Sequence, residues 1–364
     1  MIWLDITDPK YVLFFKEMIP YLEGFDEVLI TTRASDGYSE CQRLLDLFGL
    51  HYYQVGGYGG ADKLGKLQAR LERQNGFLQL FERLQIRPSL FVCGASVEGV
   101  QTAYGLGIPV INFADTPIAG SAFELSKITI LSRLTLPLSE LVFHPFVVPK
   151  ECYCALGLEA KRVLAYPFID VVLWLKGMQA GEDFRTKMNL NPHKPTILVR
   201  EEEYQAHYVK QKLPIIYESV RLLSRSLDVQ IVIMPRYGSQ ELQKEFCGIS
   251  NVHILEEKLE PNCFYPYIDL LIGGGGTMNL ESCYLGIPTI STRSLFLFHD
   301  MYLIQNGLMW HAKTADEVLE YAKSSLKHWT PNQNRLDFQN QIFEKESAGF
   351  DGIVDTLYQR GYLG

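Results

Sequence analysis

Short apolar runs alternate along this chain with segments of helical spacing, and the alternation occurs in two successive blocks. Ile2 to Ile6 reads as a strand around Asp5, and Tyr11 to Leu22 as a helix with Val12, Phe15, Ile19 and Leu22 on one stripe. The first block continues with a strand at 27–32, a helix at 39–48, a short strand at 52–55 and a long helix at 61–84. A strand at 89–93, a helix at 97–105 and a strand ending at Phe113 follow, and 141–144 and 163–166 are its last strands. The second block opens at Thr196 to Arg200. It proceeds through a helix at 210–224, strands at 229–234 and 252–255, and the apolar run from Tyr267 to Ile272. A glycine turn, a helix at 279–285, a strand at 288–291 and a helix at 314–326 complete it.

Repetition of this order predicts α/β architecture with parallel sheets, because parallel strands need crossover connections and become apolar on both faces. The expected domains are 1–166 and 195–335, joined by a linker region at 167–194 that Pro192 and Pro195 close. Helices within 336–364 end the chain. Packing back on the first domain is open to them, but local periodicity does not encode it.

Composition narrows the class. With 364 residues the chain exceeds the roughly 250–300 at which single cores stop growing. Hydrophobic residues make up 47% and charged residues 21%, enough apolar surface to oppose disorder. A net charge of −8 provides no general field for a polyanion, so non-specific nucleic-acid binding is disfavoured. The apolar runs fall short of the roughly 20 residues that span a bilayer, and the opening lacks the pattern of a secretory signal. A cytoplasmic protein is expected, with association at the inner face of the membrane as a further option. The seven cysteines, at 41, 93, 152, 154, 247, 263 and 283, form no CxxC pair and read as reduced thiols, with Cys152 and Cys154 on one side of a strand.

The strongest chemical signal is Gly273 to Gly276 followed by Thr277. Glycines between a strand and a helix let backbone N–H groups approach an anion, and the helix adds its positive end. The run is neither GxGxxG nor GxxxxGK[ST], so neither a dinucleotide fingerprint nor an ATPase loop is supported. Glu281, four residues beyond Thr277, can accept ribose hydroxyls or simply face solvent. The loop after the next strand carries His299 and Asp300. Arg236 follows an apolar strand and Pro235, where a guanidinium can grip phosphate bidentately. Arg200 holds a similar position beside Glu201 to Glu203, an acidic run expected to pair with it at the surface.

In the first block, Asp5 ends a strand, and Asp8 either faces a ligand with Lys10 or caps the following helix. Gly94, Ser96 and Glu98 follow one strand, and Asp115, the leading general-base candidate, follows another, with an Asx turn before Pro117 as its competing role. Asp5, Glu98 and His144 are further acid–base candidates, whereas His207 reads as a packed histidine. No HExxH helix, EF-hand loop or DxD triplet is present, so no metal or other cofactor is required by this reading. Lys63, Lys66, Arg70 and Arg73 read as a solvated basic face. The segment 125–138, with Lys127 and Arg133, reads as packed; membrane-surface contact is its alternative.

Several segments together resemble the DUF354 family, itself similar to the GT-B superfamily of glycosyltransferases and nonhydrolysing UDP-GlcNAc 2-epimerases. They are the opening Trp3 to Pro9, Gly94 to Glu98, Leu106 to Pro117, Met234 to Arg236 and Gly273 to Thr292. The resemblance implies two Rossmann-like domains with parallel sheets facing across a cleft, and a nucleotide-sugar donor site, UDP-linked, mainly in the second. It implies diphosphate contact by Gly274, Gly275, Gly276, Thr277 and Arg236, ribose contact by Glu281, and sugar contact by Asp300. Asp5 and Asp115 would line the acceptor side. Relatives commonly carry histidine in the opening turn and after the DTP motif, where this chain has Lys10 with Tyr11 and Ile118.

Three functions follow as expectations: sugar transfer to a hydroxyl on a small-molecule, lipid or glycan acceptor, UDP-sugar epimerisation, or nucleotide-sugar binding without turnover.

Overall fold

The computed structural model describes residues 1–35, 39–60, 62–202, 215–236, 238–257, 259–331 and 336–364. His207 and the first part of the helix expected from Lys210 lie outside the described residues. The chain divides into two compact units, one formed by Met1–Trp174 with Glu344–Gly364 and the other by Leu175–Phe343.

The first unit is built on a parallel sheet of β1 (Ile2–Ile6), β2 (Val28–Thr32), β3 (Tyr53–Gln54), β4 (Leu90–Cys93), β5 (Val110–Phe113), β6 (Leu141–Pro145) and β7 (Val163–Tyr166). Their spatial order is β3-β2-β1-β4-β5-β6-β7. The chain therefore reverses its direction of sheet growth between β1 and β4, where doubly wound sheets open a crevice at the carboxyl ends of their strands. Side-chain alternation along β1 sends Ile2, Leu4 and Ile6 into a core with Phe14, Phe15 and Met18. Trp3 enters the opposite core, its ring 4.6 Å from Phe77 and 4.3 Å from Phe91. Each large apolar side chain so enclosed contributes on the order of 1.5–3 kcal/mol.

The final helix, Asp351–Gln359, belongs to this unit. Ile353, Val354 and Leu357 join the core of β1, and the Phe350 ring stands 5.1 Å from Phe14. The short helix Asn340–Phe343 precedes the return.

The second unit repeats the plan with β8 (Thr196–Arg200), β9 (Gln230–Met234), β10 (Val252–Ile254), β11 (Leu270–Gly273), β12 (Thr289–Ser291) and β13 (Trp310–His311). The order β10-β9-β8-β11-β12-β13 places the reversal between β8 and β11. Ile197, Val199, Ile231, Ile233, Leu270 and Ile272 face one core. The glycine turn thus stands at the second sheet's switch point, and Asp5 with Glu98 at the first.

Several local expectations are corrected. Cys152 and Cys154 lie on the short helix Glu151–Cys154, not on a strand. The segment 125–138 is only partly packed: Leu136 is buried, whereas Leu125, Ile130 and Leu131 are exposed because their short helices present one face to solvent. His299 and Asp300 begin the helix Phe298–Gln305 and do not lie on a loop. Among the described residues no helix is long and apolar enough to cross a membrane.

Candidate functional site

In the second unit β11 delivers the chain into Gly274 and Gly275, and the helix Gly276–Tyr284 begins three residues earlier than its apolar spacing indicates. Close backbone approach requires glycine at position 274, whereas position 276 meets only the end of a flexible side chain. A Cβ on Gly274 would stand 2.6 Å from the Glu202 backbone nitrogen, and its own N–H donates to the Arg200 carbonyl at 2.9 Å. A Cβ on Gly276 would stand 3.2 Å from Nη1 of Arg293. On the other side, Nη1 of Arg236 lies 3.4 Å from the Cβ position of Gly275. Two guanidinium groups therefore stand beside the start of a helix, adding positive charge to its fixed backbone dipoles.

The supports come from the neighbouring strand ends. Glu201, expected at the surface, is buried; it accepts from the Arg236 backbone N–H at 3.1 Å and from the Tyr217 hydroxyl at 2.7 Å. Arg200 donates to the Met234 carbonyl at 3.3 Å and to the Pro235 carbonyl, which ties β8 to the segment carrying Arg236. Glu202 accepts from the Ser294 N–H at 2.7 Å and so anchors the loop bearing Arg293.

Glu281 is buried and does not face solvent: its Oε2 accepts from the Tyr265 hydroxyl at 2.6 Å. Burial and the adjacent Glu281 push the Tyr265 hydroxyl well above its ordinary pKa, so Tyr265 remains a donor. Thr277 is half-buried in the first helical turn. Asp300 accepts from the Leu297 N–H at 2.8 Å, closing the next helix start, and from Nη1 of Arg293 at 3.3 Å. It orients Arg293. His299 is buried beside it. The sequence reading missed Arg293 because it follows Thr292 on a loop with no periodic pattern; its equivalence to Arg236, a guanidinium just past a buried strand, was the available signal.

The first unit gathers two clusters. In one, Asp5 is fully enclosed and forms a bidentate pair with Arg73, at 2.8 and 2.6 Å. Asp5 also accepts from the hydroxyls of Thr31, at 2.6 Å, and Ser96. Asp5 is therefore corrected from candidate base to holding group, since its oxygens serve donors in the core. Arg73, expected on a solvated face, is 1% exposed and its Nε donates to the Val55 carbonyl at 2.9 Å. Glu98 is buried, 3.4 Å from Arg73 and 3.9 Å from both Arg33 and Arg70.

In the other cluster, Lys10 Nζ contacts Asp115 at 2.5 Å and also pairs with Asp170. Burial alone would lower the Lys10 pKa, but Asp115 and Asp170 raise it well beyond the ordinary lysine range, so the ammonium stays charged. Asp170 accepts from the Tyr166 hydroxyl at 2.6 Å. Asp8 caps the helix Pro9–Glu23 by accepting from the Lys10 N–H at 2.9 Å. Tyr11 lies against Gly94, where a Cβ would collide with its ring, and its hydroxyl donates to the Phe113 carbonyl at 3.1 Å. Ile118 is a core residue, 1% exposed.

His144 is 2% exposed and stacked on Tyr153 at 4.5 Å. Burial lowers its pKa to about 4, making it a neutral core imidazole at ordinary pH. It is corrected from an open acid–base group to an internal one. A hollow bounded by Met1, Asp26, Glu27, His51 and Leu84 lies at the opposite edge of the first sheet, where β1 and β2 begin, away from both clusters.

Comparison with known proteins identifies the fold. A UDP-GlcNAc 2-epimerase from Methanocaldococcus jannaschii, solved with UDP-GlcNAc and UDP, is 16% identical and superposes with a TM-score of 0.70 over 98% of this chain and 99% of that one. The enzyme of the same name from Neisseria meningitidis, bound to UDP-GlcNAc, gives 14% identity and a TM-score of 0.67 over 98% and 99%. The glycotransferase of kitacinnamycin gives 13% and 0.62 over 99% and 98%. The fold is thus GT-B-like, with two parallel-sheet α/β domains.

Residues 1–347 match the family model described as a protein of unknown function, DUF354, and the chain belongs to that family. An uncharacterized protein of Methanocaldococcus jannaschii is 27% identical over 332 residues, covering 89% of this chain and 91% of that protein.

Proposed function

We propose that this protein binds a UDP-linked sugar through its second unit and transfers the sugar to a hydroxyl acceptor. The observation that carries the reading is the placement of Arg236 over Gly275 and Arg293 over Gly276 at the start of a helix. As the bond between the anomeric carbon and the diphosphate breaks, negative charge grows on the leaving group. Guanidinium groups and oriented N–H dipoles already facing it stabilise that charge without reorganising. Thr277 donates to the same diphosphate, and Glu281, held by Tyr265, accepts from ribose. Asp300 acts through Arg293, and His299 supports that turn.

Asp115 is the proposed base for the acceptor hydroxyl, because it is partly exposed while Asp5, Glu98 and His144 are enclosed. Lys10 fixes its orientation.

Epimerisation of a UDP-sugar is the second reading. It is favoured by the epimerase folds that superpose over 98% of the chain. Both readings require the same diphosphate cradle and differ in what meets the sugar after the C–O bond breaks.

Calorimetry with UDP and a panel of nucleotide sugars tests the shared step: Arg236→Ala should weaken diphosphate-dependent affinity at least tenfold, and unchanged affinity would remove Arg236 from the site. Product analysis then separates a new glycoside, an isomerised nucleotide sugar, and binding without conversion.

A further inference from the structure

The switch point of the first sheet carries basic groups that sugar transfer, as described, leaves unused. Arg73 is locked to Asp5, but Lys66 and Arg70 precede it on the same helix, Lys63–Leu84, at spacings that place all three on one side. Arg33 follows the end of β2. Glu98 gathers Arg33 and Arg70 at 3.9 Å, while Arg73 at 3.4 Å and the buried Asp5 pair complete the floor. Unlike Arg73, Arg33 and Arg70 keep 21% and 25% of their side-chain surface open, and Lys66 is half-buried. Arg33 also lies over the Tyr58 ring at 5.6 Å.

Two further features mark the place. Ala95, in the turn from β4 to the helix Val97–Gly105, holds φ at 56°, a left-handed conformation that costs a residue with a Cβ on the order of 1–3 kcal/mol. Its N–H is fixed to Asn112 at 3.0 Å, so the surroundings impose that geometry beside Glu98. The Lys66 pKa is lowered, by burial first and then by the neighbouring charges of Arg70 and Arg33, with Asp62 opposing them.

We propose that Lys66, Arg70 and Arg33 form a binding site for a phosphate monoester on the ligand of the first unit. Within the transfer reading, on which this assignment to the acceptor rests, the acceptor is a phosphorylated compound. Arg70 offers the planar fork suited to phosphate oxygens, and Lys66 adds a point charge whose proton a dianion would hold in place. Glu98 and Asp5 keep the guanidinium groups together when the site is empty of anion.

Calorimetry of the full chain with glycerol 3-phosphate, and sedimentation with phosphatidylcholine vesicles with and without phosphatidic acid, distinguish a soluble from a lipid source of the phosphate. Binding of either probe should weaken at least tenfold in Arg70→Gln and severalfold in Lys66→Gln, with UDP affinity unchanged in both. The Lys66 variant keeps the test valid if Arg70→Gln fails to fold. Absence of binding to both probes overturns the proposal, as does binding indifferent to Lys66 and Arg70. If Arg236→Ala abolishes phosphate binding while Arg70→Gln does not, the phosphate sits at the glycine turn; the donor reading then survives and this one fails. Conversely, loss of the UDP response in Arg236→Ala has no bearing on the Lys66 and Arg70 result.

Discussion

The Nη1 atom of Arg236 lies 3.4 Å from the point where a Cβ on Gly275 would stand. A Cβ alone would be in ordinary contact there, and the Cγ atoms of a larger side chain would reach the guanidinium. The Gly275 backbone, at φ −120° and ψ 152°, is one that a β-branched residue adopts readily. Gly275→Val should keep stability within about 1 kcal/mol and reduce UDP affinity at least tenfold by displacing Arg236. Gly274→Ala should behave differently, because the Glu202 backbone 2.6 Å away cannot yield as a flexible side chain can. A loss of about 1–3 kcal/mol in urea unfolding is expected there.

Lys10 holds two carboxylates, of which Asp170 is 3% exposed. Lys10→Met should cost about 3–5 kcal/mol, since it leaves a buried charge without its counterion. Adding Asp170→Asn should recover part of that loss in the same denaturation assay. Recovery would identify the penalty as electrostatic; no recovery would assign it to packing of the lysine stem. Asp115→Asn should leave UDP affinity unchanged and lower conversion at saturating substrate.

Asp5→Asn should destabilise the first unit by about 3–5 kcal/mol, because Arg73 is almost wholly enclosed and loses its bidentate partner. An Asp5→Asn/Arg73→Met double variant should be less destabilised than the sum of the single variants. Additive losses in a double-mutant cycle would contradict the pairing.

His144 sets a pH dependence of known sign. Its pKa is lowered from 6.5 to about 4 by burial, so the unfolded chain binds the extra proton first on acidification. Stability from this group is complete above about pH 6.5 and is lost as pH falls toward 4, with an upper bound of about 3 kcal/mol. His144→Gln should flatten the change in unfolding free energy between pH 7 and pH 5. An unaltered slope would place the dependence on other groups.

Distance along the chain separates what is legible in this sequence from what is not. The strands and most long helices were legible because periods of two and about 3.6 residues are local. The glycine turn was legible for the same reason: strand, glycines and helix adjoin within a few consecutive residues. Arg73 was misread because its partner Asp5 is 68 positions away, and nothing in the spacing of Lys63, Lys66, Arg70 and Arg73 distinguishes the one that is enclosed. Arg293 was missed because its relation to Gly276 depends on β11 and β12 lying side by side.

By itself, then, the sequence determined the alternation of elements, the parallel α/β class and the glycine turn between strand and helix, since backbone geometry and side-chain periodicity act over neighbouring residues. Only the tertiary structure decided which charges remain at a surface and which are spent within the fold. Asp5, Glu98 and His144 became internal, and Arg236 and Arg293 converged on two glycines, because sheet order brings distant strand ends together. Burial then fixes what each charged group can do.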